Sequence, residues 1–387
     1  MRVLHIGKYY PPYRGGMENF LQDLLKALKD EDVIAAALVH NHISGRPFCR
    51  EKRDGLSIMR APLLGQVLYA PISPSFPGLL RRSIDSFRPD ILHFHLPNTS
   101  AFWALLIPQA RSIPWVIQWQ SDVVSSEIDR RLRLAYGCYR PFERAFLKRA
   151  KRVVVASGAY LDHSRPLKES SSRCIVIPLG VDPERLLWPQ EEMLKGAETS
   201  WIPGALRVLS VGRLTYYKGF DVLIRAAEQV PGISVQIVGD GALRAKLQRE
   251  ITRRGLEGRV YLRGGLSDPE LQALLATCHL FCLPSVERTE AFGVVLLEAM
   301  RYGRALIVSD IPGSGTGWVV REGSCGFLVP PGDADALADG LKRLADQPSL
   351  CEELGKRGSE NFLEKFHIGS VARRIKELYF DVLLPPA

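Results

Sequence analysis

Two acidic residues, Glu290 and Glu298, bracket the segment Glu-Ala-Phe-Gly-Val-Val-Leu-Leu-Glu. The apolar residues Val294, Val295, Leu297 and Met300, followed by Gly303 and the run Ala305 to Ser309, predict a short helix that glycine stops before a buried strand. Phe292 and Gly293 then form the helix entrance. Unpaired backbone N–H groups there suit an anion, and a residue without a side chain lets a ligand reach the main chain. Glu298 lies further along the helix, roughly 7 Å beyond Gly293 at the usual helical rise. One carboxylate thus precedes the N-terminus and the other sits a turn and a half inside it. That spacing fits a ligand with hydroxyls at both ends and phosphates between them, which is the plan of a nucleotide sugar. The plainer reading is a pair of solvated glutamates beside an amphipathic helix.

Cations are placed to join them. The segment Val211-Gly-Arg213-Leu-Thr-Tyr-Tyr-Lys218-Gly219 follows a predicted strand and precedes a predicted helix, so Arg213 and Lys218 flank a loop. Two fixed cations there would neutralise a diphosphate and the charge that develops as it leaves. Nearer the start, Lys8-Tyr-Tyr-Pro-Pro-Tyr-Arg-Gly15-Gly16 runs from a strand into a helix, and paired glycines at a helix entrance allow close approach to a phosphate or sugar. His95 ends the strand His93-Phe-His95; it is either a ligand group or a satisfied structural histidine.

The elements that must carry these residues follow from apolar patterning. With 387 residues the chain is longer than one hydrophobic core usually serves, which predicts two domains. In the first half, Val3 to Gly7, Val33 to His40, Asp90 to His95, Trp115 to Trp119, Arg152 to Ser157 and Cys174 to Ile177 read as buried strands, with helices such as Met17 to Leu28 and Phe142 to Lys151 between them. A second series holds Leu206 to Val211, Ser234 to Gly239, Arg259 to Leu262, Leu280 to Pro284, Ala305 to Ser309 and Gly326 to Val329. Alternation of this kind predicts doubly wound parallel sheets of the Rossmann-like α/β class, whose ligands sit at the carboxyl ends of the strands. The predicted division is 1–180 and 205–367, joined by a connector, 181–204, that carries Pro183, Trp188, Pro189, Trp201 and Pro203.

Composition narrows the class. A content of 46% hydrophobic and 24% charged residues is ordinary for a globular protein, and no apolar run is long enough to span a membrane. The start, Met1 to Gly7, reads as a strand rather than a signal peptide, so a cytoplasmic location is expected. Seven scattered cysteines do not form a disulfide framework, and Cys278 and Cys282 look like strand packing rather than metal ligands. The formal net charge of +9 is concentrated in 127–152, where nine Lys or Arg outnumber three Asp or Glu and alternate with Leu132, Leu134, Tyr136, Phe142, Phe146 and Leu147. Such a stretch either lies on an anionic membrane surface or is a solvated face of a core helix. No nucleic-acid recognition module is visible.

The motifs together resemble a known family. Gly15-Gly16, Gly212-Arg-Leu-x-x-x-Lys-Gly219, Val238-Gly-Asp-Gly241, Pro284-Ser-x-Glu-x-x-Glu290-Ala-Phe-Gly with Glu298-Ala299, and Gly326-Phe-Leu-Val-Pro-Pro-Gly332-Asp are similar to those of the retaining glycosyltransferase family 4, of GT-B fold. Within it the chain looks most like bacterial enzymes that build lipid-linked polysaccharides such as lipopolysaccharide, many of them mannosyl- or related transferases. The resemblance implies two Rossmann-like domains facing across a cleft, with a C-terminal helix at 368–387 crossing back to the first. It implies a hexosyltransferase that takes a nucleotide-diphosphate sugar, GDP-mannose or a UDP-hexose, and needs no metal or other cofactor. By position, Arg213 and Lys218 would hold the diphosphate and Glu290 would bond donor-sugar hydroxyls. The backbone of Phe292, Gly293 and Val294 would receive phosphate and sugar oxygens, and Glu298 would take the ribose hydroxyls. Gly15, Gly16, Gly212, Gly239 and Arg263 would complete the donor side; His95, Gln120 and Asp122 would lie on the acceptor or sugar side. A lipid-linked acceptor further implies a peripheral position at the inner face of the plasma membrane, with 127–152 as the contact.

In one place the chain departs from the family pattern: where many relatives carry a histidine before Ser-Asp, the run here is Gln118-Trp-Gln120-Ser-Asp122. An amide can hydrogen-bond but cannot act as a base or carry charge near neutral pH. The resemblance implies front-face transfer, in which the leaving phosphate takes the acceptor proton, so no side-chain nucleophile is needed. Three alternatives stay open: a metal-dependent transferase using Asp333-Ala-Asp335, which capping explains more simply; a nucleotide-sugar-binding subunit without turnover, which Gln120 favours; and a sugar-nucleotide epimerase.

Overall fold

Apolar runs bounded by turn residues become the strands of two separate sheets. The computed structural model describes residues 1–67, 70–123 and 130–384, with 130–133 described by backbone alone. It divides the chain into two units, Met1–Gly180 with Ile368–Ala387, and Val181–His367.

In the first unit the strands are β1 (Arg2–Ile6), β2 (Ile34–His40), β3 (Cys49–Arg53), β4 (Leu56–Ala61), β5 (Gly65–Val67), β6 (Ala70–Ile72), β7 (Ile91–Leu96), β8 (Trp115–Trp119), β9 (Arg152–Val155) and β10 (Cys174–Val176). Eight of them form one sheet in the order β10-β9-β8-β7-β1-β2-β4-β3, parallel except for the edge strand β3. The order reverses at β1, so the loops after β1 and β7 flank a switch point, where ligands of such sheets bind. Neither β3 nor β4 was expected. Their turn is Asp54-Gly55, both at positive φ (52° and 79°), the two-residue hairpin that this dipeptide favours.

The Ile368–Leu383 helix belongs to the first unit and packs on the Gly16–Asp30 helix. Lys376 pairs with Glu31 at 3.2 Å, Arg374 donates to the Val176 carbonyl at 2.7 Å, and the Tyr379 hydroxyl lies 2.6 Å from His93 Nδ1. Its buried face (Val371, Ala372, Ile375, Leu378, Tyr379, Val382) has the spacing of an amphipathic helix.

In the second unit the strands are β11 (Leu206–Val211), β12 (Ile233–Val238), β13 (Val260–Gly264), β14 (Leu280–Leu283), β15 (Ala305–Ser309) and β16 (Gly326–Val329), all parallel in the order β13-β12-β11-β14-β15-β16. Residues 181–204, expected as a connector, are built into this unit. The Glu191–Thr199 helix packs on the Asp268–Thr277 helix, and buried Trp201 donates from its indole to Thr277 Oγ1 at 3.0 Å.

The basic stretch 127–152 forms the Arg130–Arg149 helix; residues 127–129 and the side chains of 130–133, Leu132 among them, lie outside the described residues. Its inner face carries Glu143, Phe146 and Leu147, all buried. The Tyr136 hydroxyl donates to Glu143 Oε2 at 3.3 Å, while Oε1 has no hydrogen-bond partner among the described residues. Burial pushes the Glu143 carboxyl up to about 7; the Tyr136 hydrogen bond and Arg140 pull the other way and Asp122 adds to the rise. A raised carboxyl favours the neutral form in the fold, so its contribution to stability is present below pH ~4.5 and is lost as pH climbs through ~7. Glu143→Gln, which cannot ionise, is therefore expected to raise the melting temperature relative to wild type more at pH 8 than at pH 5. Comparing the two proteins at each pH cancels the other titrating groups, and an unchanged difference between the two pH values would contradict a buried acid here.

Candidate functional site

In the second unit, three loops at the carboxyl ends of β11, β12 and β14 are packed backbone to backbone, and glycines make this packing feasible. Gly212 N–H donates to the Val238 carbonyl at 2.9 Å and Leu214 N–H to the Asp240 carbonyl at 2.9 Å. A Cβ on Gly239 would stand 2.1 Å from the Gly212 carbonyl oxygen, so this glycine serves contact between loops. Gly219 has φ +64° and a Cβ there would lie 2.0 Å from the Pro284 oxygen, while Val286 N–H donates to the Tyr217 carbonyl at 2.8 Å. The loop after β11 is thereby laid on the loop after β14.

This packing brings Lys218 to Glu290. Lys218 Nζ is 2.5 Å from Glu290 Oε2, both side chains are about nine-tenths buried, and Ser285 Oγ donates to the same oxygen at 3.2 Å. The bare Cα of Gly212 leaves room for the lysine stem, since a Cβ would fall 2.8 Å from its Cε. Glu290 is also held through its backbone: its carbonyl accepts from Ser314 Oγ, and Gly315 N–H donates to the next carbonyl, Ala291, at 2.7 Å. Gly293, at φ +76°, turns the chain into the Val294–Arg301 helix, so Phe292, Gly293 and Val294 stand at its N-terminus as expected. Phe292 is itself buried. Arg213 is exposed and makes no ion pair among the described residues, so its charge is available to a ligand.

Glu298, on that helix, pairs with Arg185 at 3.3 Å. Arg185 was not singled out from sequence, because a lone arginine after proline carries no periodic signal. Ser285 was missed in the same way. Arg263 stands apart from this cluster on the edge strand β13, where it is exposed and its charge acts on Glu270.

In the first unit, His95 and Gln120 line one small cavity together with Gly7, Lys8, Tyr9, Met17, Glu18, Leu21 and Pro97. Gly15 precedes the Gly16–Asp30 helix, and a Cβ on it would meet the Glu18 carboxylate at 2.2 Å; the buried Glu18 therefore occupies the space that the paired glycines open. Lys8 and Glu18 are further members that the sequence reading did not assign. Asp122 is engaged elsewhere: its carboxylate accepts from the Trp119 indole at 2.9 Å and from Ser164 Oγ at 2.7 Å.

Behind the cavity, His5, His93 and His95 form a buried group whose ligand atoms lie within 4.8 Å of one another. Burial holds all three neutral, with His95 lowered to about 3. Their rings are stacked or tilted at 21–37° to each other across adjacent strands. His5 Nδ1 and His95 Nε2 share one hydrogen bond at 3.0 Å, which fixes the orientation of His95 at the cavity wall. Asp333 caps the helix it precedes and Asp335 accepts from Gln229 at 2.7 Å, so this pair is committed to local structure.

The second-unit cluster can hold an anion at a helix N-terminus between cations and can bond alcohols through two carboxylates. The chain as a whole is similar to known proteins. A family model described as Glycosyl transferases group 1 matches residues 198–361, and one described as Glycosyl transferase 4-like domain matches residues 15–180. The chain is 29% identical over 391 residues to O-antigen chain mannosyltransferase C of Escherichia coli, covering 99% of each chain. It is 30% identical over 281 residues to D-rhamnosyltransferase WbpZ of Pseudomonas aeruginosa, covering 72% of this chain and 70% of that one. Sucrose-phosphate synthase from Thermosynechococcus elongatus shares the fold of two Rossmann-like domains, with a TM-score of 0.82 at 23% identity over 98% of both chains.

Proposed function

Because the chain belongs to the glycosyl transferases group 1 family, we propose that it moves a hexose, mannose or a close relative, from a nucleotide-diphosphate sugar to a lipid-linked glycan acceptor in cell-surface polysaccharide synthesis. The observation that carries this reading is the Lys218–Glu290 pair beside the N-terminus of the Val294–Arg301 helix, with Arg213 left exposed. Lys218 and Arg213 would neutralise the donor diphosphate. Glu290 would accept from hydroxyls of the sugar, and Glu298 from those of the ribose.

Departure of the nucleoside diphosphate places negative charge on the bridging oxygen. Arg213, Lys218 and the first-turn N–H groups would stabilise it without a metal ion. The departing phosphate oxygen would then take the acceptor proton on the same face of the sugar, with retention at the anomeric carbon. His95, neutral and buried, is not a source of charge for this step.

A mannose donor, GDP-mannose, leads because one relative is described as a mannosyltransferase; a GDP-linked deoxyhexose or a UDP-hexose is the alternative. We place the protein at the cytoplasmic face of a membrane; the membrane-facing part of this reading is supported by the outer face of the Arg130–Arg149 helix. There Leu134, Cys138, Pro141, Phe142 and Ala145 are exposed at helical spacing and flanked by Arg140, Arg144 and Lys148. Exposed Trp103 and Leu106 lie on and after the adjoining Thr99–Leu105 turn. A basic apolar face of this kind suits an anionic lipid surface. A second reading, a nucleotide-sugar-binding subunit without turnover, is favoured by Gln120 in the cavity wall.

One experiment separates these readings. The purified chain is heated with GDP-mannose, UDP-glucose and UDP-galactose in turn, then assayed for transfer to a lipid-diphosphate glycan in vesicles with and without anionic lipid, in the presence of a chelator. The cognate donor at about 100 times its dissociation constant stabilises the native form by ~2.7 kcal/mol, a melting shift of several degrees. Transfer should survive the chelator and rise with anionic lipid. Stabilisation without transfer would favour the binding subunit, and no stabilisation by any nucleotide sugar at millimolar concentration would overturn the proposal.

A further inference from the structure

The stretch that enters the second unit is fixed against the helix that carries Glu298. Asp182 accepts from the Glu184 N–H at 2.9 Å and so caps the Pro183–Arg185 turn. The Arg185 carbonyl accepts from Gln272 Nε2 at 3.0 Å, and Leu186 is buried. The Leu187 carbonyl accepts from the Tyr302 hydroxyl at 2.8 Å, and the Trp188 ring lies 5.7 Å from the ring of Tyr302. Glu298 and Tyr302 are four residues apart and share one helix face. Arg185 thus emerges from backbone anchored on both sides, and its side chain, 22% exposed, meets Glu298, 12% exposed. This is unlike a loose surface pair, where entropy and solvent cancel most of the gain.

The guanidinium uses only one of the two carboxylate oxygens. Arg185 Nη2 lies 3.3 Å from Glu298 Oε1, while Oε2 has no protein hydrogen bond among the described residues. We infer that Arg185 is a positioning residue for the nucleotide: it holds the Glu298 carboxyl in one rotamer and presents Oε2 to the ribose hydroxyls. This rests on the reading of Glu298 as the ribose ligand. A carboxylate left to rotate would lose part of its affinity for the diol to the cost of ordering it on binding. Lysine at this position would keep the charge but carry it on a more flexible stem with a compact ammonium, so it would hold Oε1 less firmly than the guanidinium does.

The test uses the full chain as wild type, Arg185→Ala, Arg185→Lys, Glu298→Gln and the Arg185→Ala/Glu298→Gln double variant. Titration calorimetry measures binding of GDP and UDP and of their 2′-deoxy and 3′-deoxy forms, and melting curves confirm that each variant is folded. Loss of one well-made hydrogen bond to a charged group is worth about tenfold in affinity. Wild type is therefore expected to prefer the ribose form over the deoxy form by about tenfold at the hydroxyl that Oε2 engages. Arg185→Ala should reduce that preference to about twofold, and Arg185→Lys should restore part of it. Glu298→Gln should weaken the preference as well, with the double variant little worse than either single change. A purely structural bridge would lower the melting temperature of Arg185→Ala and leave the preference unchanged, which overturns the inference. So would a wild type that binds GDP or UDP without regard to its ribose hydroxyls. Failure of wild type to bind any nucleoside diphosphate would instead overturn the nucleotide-sugar reading on which this one rests.

Discussion

Lys218→Ala and Glu290→Gln are each expected to slow sugar transfer by about two to three orders of magnitude, the usual loss when one fixed group that meets developing charge is removed. The reason lies in the 2.5 Å contact between Lys218 Nζ and Glu290 Oε2. Without the lysine, a mostly buried carboxylate keeps, among the described residues, only Ser285 as its side-chain donor, and the departing diphosphate loses the cation placed for it. Without the carboxylate charge, the lysine is less firmly held and the sugar hydroxyls lose their acceptor. Because the two act as one unit, the double variant should be little slower than either single variant. Initial rates of transfer with saturating donor give the comparison, and far-ultraviolet circular dichroism controls for folding. Wild-type rates in both single variants would show that this pair is not at the reacting centre.

Gly219→Ala is expected to destabilise the protein by about 2–4 kcal/mol and to weaken donor binding more than tenfold, since strained backbone and a steric clash combine. Gly219 sits at φ +64°, a conformation that costs a residue with Cβ about 1–2 kcal/mol. The added carbon would also meet the Pro284 oxygen at 2.0 Å and the Val286 side chain at 3.1 Å. Relief of that clash must move the loop after β11 away from the loop after β14, and Lys218 is the neighbouring residue. Gly232→Ala is the control, because no atom lies within 4 Å of its added carbon and its φ is not positive. Denaturant midpoints and donor titrations of the two variants should differ sharply. Equal stability and equal affinity would show that the close approach of the two loops is not needed.

Much of this was readable in the chain because buried parallel strands are short continuous apolar runs between turn signals. Trp115–Trp119, Leu206–Val211, Ala305–Ser309 and Gly326–Val329 end where the sequence pattern ends. The hairpin at 49–61 escaped because β3 lies at the sheet edge and is Cys-Arg-Glu-Lys-Arg, with no apolar face to detect; the Asp54-Gly55 turn was the signal available. That Lys218 and Glu290 are neighbours was legible because each follows a strand of the same sheet, where loops converge. Arg185 was not, since its partner lies 113 residues away and only folding of 181–204 onto the second unit brings them together. The role of Gly239 also changed on folding: loop-to-loop contact explains it without a ligand.

The route of the backbone imposes an order on synthesis. The chain leaves the first unit at Gly180 and re-enters it at Ile368, so a ribosome delivers every residue of the second unit before the helix that covers His93 with Tyr379. Until that last stretch emerges, the histidine-bearing side of the first sheet lacks this cover, while the second unit, being one uninterrupted stretch, already has all of its own chain in hand.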